Sequence, residues 1–119
     1  AAARSVMDRE AVRRALLNLL RNAIQVAPAE SSVEITVETD GSLARVRVLD
    51  RGPGVEPEFA ERAFDPFVTT RSDGIGLGLA LVRRVAGEHG GWAKLESRDG
   101  GGAVATLEIR VAAGEEEST

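Results

Sequence analysis

The dipeptide Asp40-Gly41 lies between two segments in which apolar and polar residues alternate. Val33, Ile35 and Val37 alternate with Glu34, Thr36 and Glu38 before it; Val46 and Val48 alternate with Arg45 and Arg47 after it. Alternation of period two describes a strand with one buried face, and Asp-Gly supplies the positive φ of a tight hairpin. The spacing therefore predicts strands over Val33–Thr39 and Leu43–Leu49, paired antiparallel. A dinucleotide-binding fold built from parallel βαβ units does not fit such a hairpin.

The flanking sequence is helical. From Asp8 to about Val26, the residues Val12, Leu16, Leu19, Leu20, Ala23 and Ile24 form an apolar stripe, with Asp8 as N-cap, Glu10 in the first turn and Pro28 as the stop. A short helix is expected around Glu56–Ala63. Another runs from about Gly76 to Glu88 and ends at Gly90-Gly91. Strands are expected over Trp92–Ser97 and Ala103–Val111, separated by Asp99-Gly100-Gly101-Gly102. Together these predict an α+β fold, a two-layer α/β sandwich with a mixed, mostly antiparallel sheet covered on one face by three helices. At 119 residues and 43% apolar content the chain supports one core. Residues 1–111 are read as one domain and residues 112–119 as an acidic, frayed tail.

Composition excludes several functions. No cysteine is present, so disulfides and thiolate metal sites are ruled out, and His89 is the only histidine. Net charge is −4 and the basic residues form no run, so nucleic acid is not an expected partner. No apolar stretch approaches the roughly 20 residues that span a bilayer, and no signal peptide is visible, so a cytoplasmic location without direct membrane contact is expected for this domain, whether the full-length protein is soluble or membrane-anchored.

Four local patterns carry chemistry. Asn18 and Asn22 are one helical turn apart and share a face; their amide oxygens are hard donors suited to magnesium, though two amides at the edge of a solvated face would look the same. Asp50 ends a strand in DRGPG, where Gly52 and Gly54 let the backbone turn and approach a flat ligand, and its carboxylate suits an exocyclic amine such as that of adenine; a plain turn also fits. In FDPFVTTR, Phe64 and Phe67 bracket Asp65-Pro66, so they are candidate anchors for a segment whose tip is Thr69, Thr70 and Arg71. Gly74, Gly76 and Gly78 open a helix whose amides suit phosphate, but no Gly-Lys-Ser/Thr follows, so this is not a Walker loop.

In order and spacing, LLNLLRNA, DRGPG, FDPF and GIGLGLA resemble the N, G1, F and G2 boxes of the ATP-binding catalytic domain of sensor histidine kinases. This is the GHKL superfamily, whose Bergerat fold gyrase B and MutL share. The resemblance runs from about Val6 to Val111. It implies ATP and Mg2+ as ligands, with Asn22 as the magnesium ligand and Asn18 assisting at the metal or phosphates. Asp50 is the implied adenine-binding carboxylate, and Gly52 and Gly54 line the base pocket. Phe64 and Phe67 are the implied lid anchors, with Thr69, Thr70 and Arg71 on the lid and Arg71 at the terminal phosphate. By the same resemblance, the run Gly74, Ile75, Gly76, Leu77, Gly78 and Leu79 is expected to border the phosphates. Thr106 resembles a family threonine near the adenine.

The chain also departs from the family pattern. Gln25 and Val26 stand where many members carry a cation and an aromatic residue, and Ile75 stands where Thr or Ser is usual. Weaker nucleotide binding is expected there, not its loss. The Asn-Ala-x-Gln pattern with a short Thr-Thr-Arg lid is similar to the nitrogen-sensor-type subgroup. The ATP-hydrolysing branch has a glutamate base where this chain has Asn18, and an amide cannot take a proton. The resemblance thus implies a module that donates the γ-phosphoryl group to a histidine on a separate dimerisation domain, with a response regulator downstream. His89, at a helix end, reads as a cap or packing residue rather than the acceptor. The chain is accordingly expected to be an isolated, monomeric catalytic domain that lacks the acceptor. The competing reading is a degenerate nucleotide-binding or regulatory module, to which Gln25 and Ile75 lend support.

Overall fold

A computed structural model describes residues 8–66 and 78–111. The first helix, α1 (Arg9–Val26), begins where the Asp8 carboxylate accepts the Ala11 N–H at 3.1 Å. It stops at Ala27, whose extended backbone is what the following proline demands. The buried face is Ala15, Leu19 and Ala23. The expected stripe is therefore rotated: Leu16 and Leu20 flank the core, and Ile24 is 61% exposed. Small residues at i and i+8 let α1 lie close against its neighbouring helix, α3 (Gly78–Glu88), which buries Val82, Val85 and Ala86. Leu19, Val82, Val85 and Leu107 are the largest fully buried side chains, each contributing about 1.5–3 kcal/mol. They hold the helices to the sheet.

Strands β1 (Glu34–Asp40), β2 (Leu43–Leu49), β3 (Trp92–Ser97) and β4 (Ala103–Arg110) form a sheet of order β1-β2-β4-β3. All three ladders are antiparallel, and no parallel pair occurs among the described residues. The register stacks Ile35, Val48, Ala105 and Leu95 in one row and Val37, Val46, Leu107 and Ala93 in the next. This face meets the helices. Cover ends at β2, however: Ile35 and Val37 are 51% and 64% exposed although they share the core face. The opposite face is open and polar, with Trp92, Glu108, Arg45 and Glu38 in one row.

Helix α2 (Pro57–Arg62) is one short element with Pro57 in its first turn, followed by the buried pair Ala63 and Phe64. Helix α3 ends in a Schellman arrangement: Gly91 N–H bonds Ala86 O at 2.8 Å and Gly90 N–H bonds Gly87 O at 3.2 Å, with Gly90 at φ +71°. His89 joins the two long helices. Its Nε2 accepts the Asp8 N–H at 3.0 Å while Nδ1 donates to Val85 O at 2.7 Å. The packing role read from the sequence is the one the ring occupies.

Candidate functional site

Asp50 follows β2 and is 6% exposed. Four of its contacts are fixed by its neighbours. Its N–H donates to Ala103 O at 2.9 Å. Its Oδ1 accepts from Gly52 N–H at 2.8 Å and from Ala103 N–H at 3.1 Å. Its carbonyl accepts from Arg98 Nη1 at 3.2 Å. Both side-chain bonds thus end on Oδ1, and Oδ2 has no protein donor among the described residues. A buried carboxylate with one oxygen committed and one open is poised to accept a hydrogen bond from a ligand.

The backbone around Asp50 is closely packed. A Cβ on Gly52 would lie 2.8 Å from Val26 O, so this loop runs directly against the C-terminal turn of α1. Gly102, at φ +104°, would place a Cβ 1.9 Å from Asp50 O. Gly54, at φ +88°, sits beside Ser97, whose hydroxyl would be 3.2 Å from a Cβ there. Glycine is required at Gly102 both for space and for conformation.

Midway along α1, Asn18 Nδ2 donates to Gly78 O at 3.2 Å, joining α1 to the first residue of α3. Asn18, Asn22 and Val26 are spaced four apart, so one helix face touches the start of α3 at Asn18 and the Asp50–Gly52 loop at Val26. These two contacts lie about 12 Å apart along the helix, at 1.5 Å per residue. Asn22 falls between them, half-buried, with no side-chain hydrogen bond among the described residues.

Not every candidate joins this line. Gln25 is exposed and Leu79 packs against the core. Thr106 is 4% exposed, but its register neighbours are Arg47 and Lys94, on the open face of the sheet, away from the face that carries α1. The chain's contact with Asp50 from β4 is made instead by Ala103. Phe67, Thr69, Thr70, Arg71, Gly74, Ile75, Gly76 and Leu77 lie outside the described residues, whereas Phe64 is buried in the core. Ser97, Arg98, Gly102 and Ala103 were not candidates from sequence. The signal was there in the three consecutive glycines 100–102, more than a plain strand reversal needs.

No group of three or more His, Asp or Glu side chains gathers to hold a metal among the described residues. A magnesium ion held here would take an amide oxygen from Asn22 and draw its other ligands from phosphate and water, which suits the reluctance of Mg2+ to shed its hydration. The shortest ion pair among the described residues lies elsewhere, on the open face: Arg45 reaches Glu108 Oε1 through Nη2 at 2.6 Å and Nε at 3.0 Å. That hydrogen bond raises the guanidinium above its ordinary pKa. No helix among the described residues is long and apolar enough to cross a membrane.

The family model for histidine kinase-, DNA gyrase B- and HSP90-like ATPases matches residues 7–113. The chain is 36% identical over 107 residues to the sensor histidine kinase ZraS of Salmonella typhimurium, which covers 89% of this chain and 23% of ZraS. It is 35% identical over 106 residues to the sensory histidine kinase/phosphatase NtrB of Rhodobacter capsulatus, covering 78% of this chain and 30% of NtrB. The fold matches full-length ShkA, solved in complex with AMPPNP, at a TM-score of 0.79 and 38% identity, over 89% of this chain and 22% of ShkA. The chain therefore spans less than a third of each of these proteins.

Proposed function

The chain belongs to the histidine kinase-, DNA gyrase B- and HSP90-like ATPase family, and on that premise we propose that it binds Mg-ATP along α1 and donates the γ-phosphoryl group to a histidine on a separate dimerisation domain. The observation that carries this reading is the open Oδ2 of buried Asp50. It accepts the adenine amine, while Gly52 and the loop that follows flank the base. The nucleotide then runs along the Val26–Asn22–Asn18 face toward the start of α3. The likeness to a kinase solved with AMPPNP supports nucleotide binding.

When bound with the nucleotide, Mg2+ neutralises phosphate charge. Asn22 holds that ion through its amide oxygen. Asn18 has two tasks: its Nδ2 fixes the first carbonyl of α3, and its amide cannot act as a base toward water. Hydrolysis is thereby disfavoured and the γ-phosphorus is left for a stronger nucleophile. An imidazole nitrogen of the acceptor attacks in line; the bond between the γ-phosphorus and the bridging oxygen breaks; ADP leaves with that oxygen. Arg71, carried over from the motif resemblance, meets the terminal phosphate, and a response regulator takes the phosphoryl group onward. Kinship with sensor histidine kinases such as ZraS and NtrB supports the acceptor histidine and the downstream regulator.

The test is transfer in trans. The protein is incubated with Mg-ATP labelled at the γ-phosphate and a histidine-bearing helical hairpin from a sensor kinase of the ZraS type. Acid-labile label on the hairpin histidine is expected. Intact nucleotide binding without transfer to any such hairpin would contradict the kinase reading and favour a regulatory module.

A further inference from the structure

The loop that follows Asp50 is fastened at three places. At its start, Asp50 is bonded to Ala103 and Arg98. At Gly52, the N–H folds back onto Asp50 Oδ1 and the chain presses on Val26. At its far end, Val55 is held by one hydroxyl: Val55 N–H donates to Ser97 Oγ at 2.9 Å, and Ser97 Oγ donates to Val55 O at 2.9 Å. One side chain thus satisfies both polar groups of one peptide residue, as a neighbouring strand would. It does so from the last residue of β3, an element that carries none of the proposed ligand contacts. No other hydrogen-bond partner for either Val55 group occurs among the described residues. Gly54, beside the same hydroxyl, has φ +88°, a conformation open to few residues other than glycine.

We propose that Ser97 is a positioning residue for nucleotide binding: its hydroxyl sets the 52–55 backbone in the shape that receives the base, so that Asp50 Oδ2 and the loop meet the purine together. This rests on the reading of Asp50 as the base-binding carboxylate. Ser97 touches neither phosphate nor metal. Its effect therefore falls equally on ligands that share the adenosine end and leaves the magnesium dependence unchanged. Pre-setting the loop removes an ordering cost that would otherwise be met on binding.

Titration calorimetry with Mg-ADP and Mg-ATP on wild type, Ser97→Ala and Ser97→Thr tests this, alongside amide exchange of the nucleotide-free proteins. Ser97→Ala is expected to bind both nucleotides about tenfold more weakly, the loss of roughly one to two hydrogen bonds' worth of organisation. Val55 N–H is expected to exchange faster in the same variant. Ser97→Thr keeps the hydroxyl and is expected to restore both. Wild-type binding with equal affinity in Ser97→Ala would overturn the role of Ser97 alone, as would a Ser97→Thr variant as weak as Ser97→Ala. Wild type that binds neither nucleotide would remove the reading of the site itself.

Discussion

Asp50 and Ala103 are joined twice, once by the Asp50 N–H to the Ala103 carbonyl and once by the Ala103 N–H to Asp50 Oδ1. The doubled link commits Oδ1 and leaves Oδ2 without a protein donor among the described residues. Asp50→Asn can keep its Oδ1 bonds while replacing Oδ2 by a donor that opposes the adenine amine. The variant is expected to unfold within about 1 kcal/mol of wild type and to lose roughly 10- to 100-fold in ATP affinity. Denaturant unfolding and calorimetry on the same sample check both halves.

Gly102 and Gly101 have nearly equal backbone angles, φ +104° and +105°, but different surroundings. A Cβ at Gly102 strikes Asp50 O at 1.9 Å, whereas one at Gly101 meets nothing within 4 Å. Gly101→Ala is expected to cost about 1 kcal/mol for strain alone. Gly102→Ala is expected to cost about 3 kcal/mol or more and to abolish nucleotide binding, because the Asp50 peptide must move. Urea midpoints of the two variants measure the difference.

Asn22 and Asn18 share a helix face but differ in their bonds. Asn18 is tied to Gly78 O, and Asn22 has no side-chain hydrogen bond among the described residues. Asn22→Ala is expected to leave stability unchanged and to make ATP affinity the same with and without Mg2+. Asn18→Ala is expected to weaken binding of nucleotides with a long phosphate chain while retaining a magnesium dependence. Affinities for ATP and ADP with and without the cation separate the two.

His89 fastens the Asp8 end of α1 to Val85 O near the end of α3. His89→Ala removes both bonds and is expected to destabilise the fold by about 1–2 kcal/mol. The Asp50 end is expected to keep its ligand affinity under folding conditions. Chemical denaturation followed by calorimetry distinguishes this packing role from a chemical one.

The strands, the Asp40-Gly41 hairpin and the glycine stop of α3 were legible because they depend on local rules of period and turn. Burial of Asp50 was not readable locally, since it arises where residues 98–103 close over the end of β2. Thr106 shows what period counting offers: Ala103, Ala105, Leu107 and Ile109 are buried against the helices, which puts Thr106 on the other face of β4. The same counting failed at Ile35 and Val37, whose pattern is that of a covered strand; how far the helices extend over the sheet is a tertiary fact. Ile24 is exposed for a similar reason, because close helix packing selected Ala15 and Ala23 as the α1 seam.

The account rests on one binding line along α1, with a carboxylate at one end and side-chain amides toward the other. Calorimetric titration of Mg-ATP into wild type and Asp50→Asn, run side by side, tests it most directly. Saturable one-to-one binding by wild type with a large loss in the variant is the expected result. Equal heats from the two proteins, or none from wild type at saturating nucleotide and cation, would contradict it.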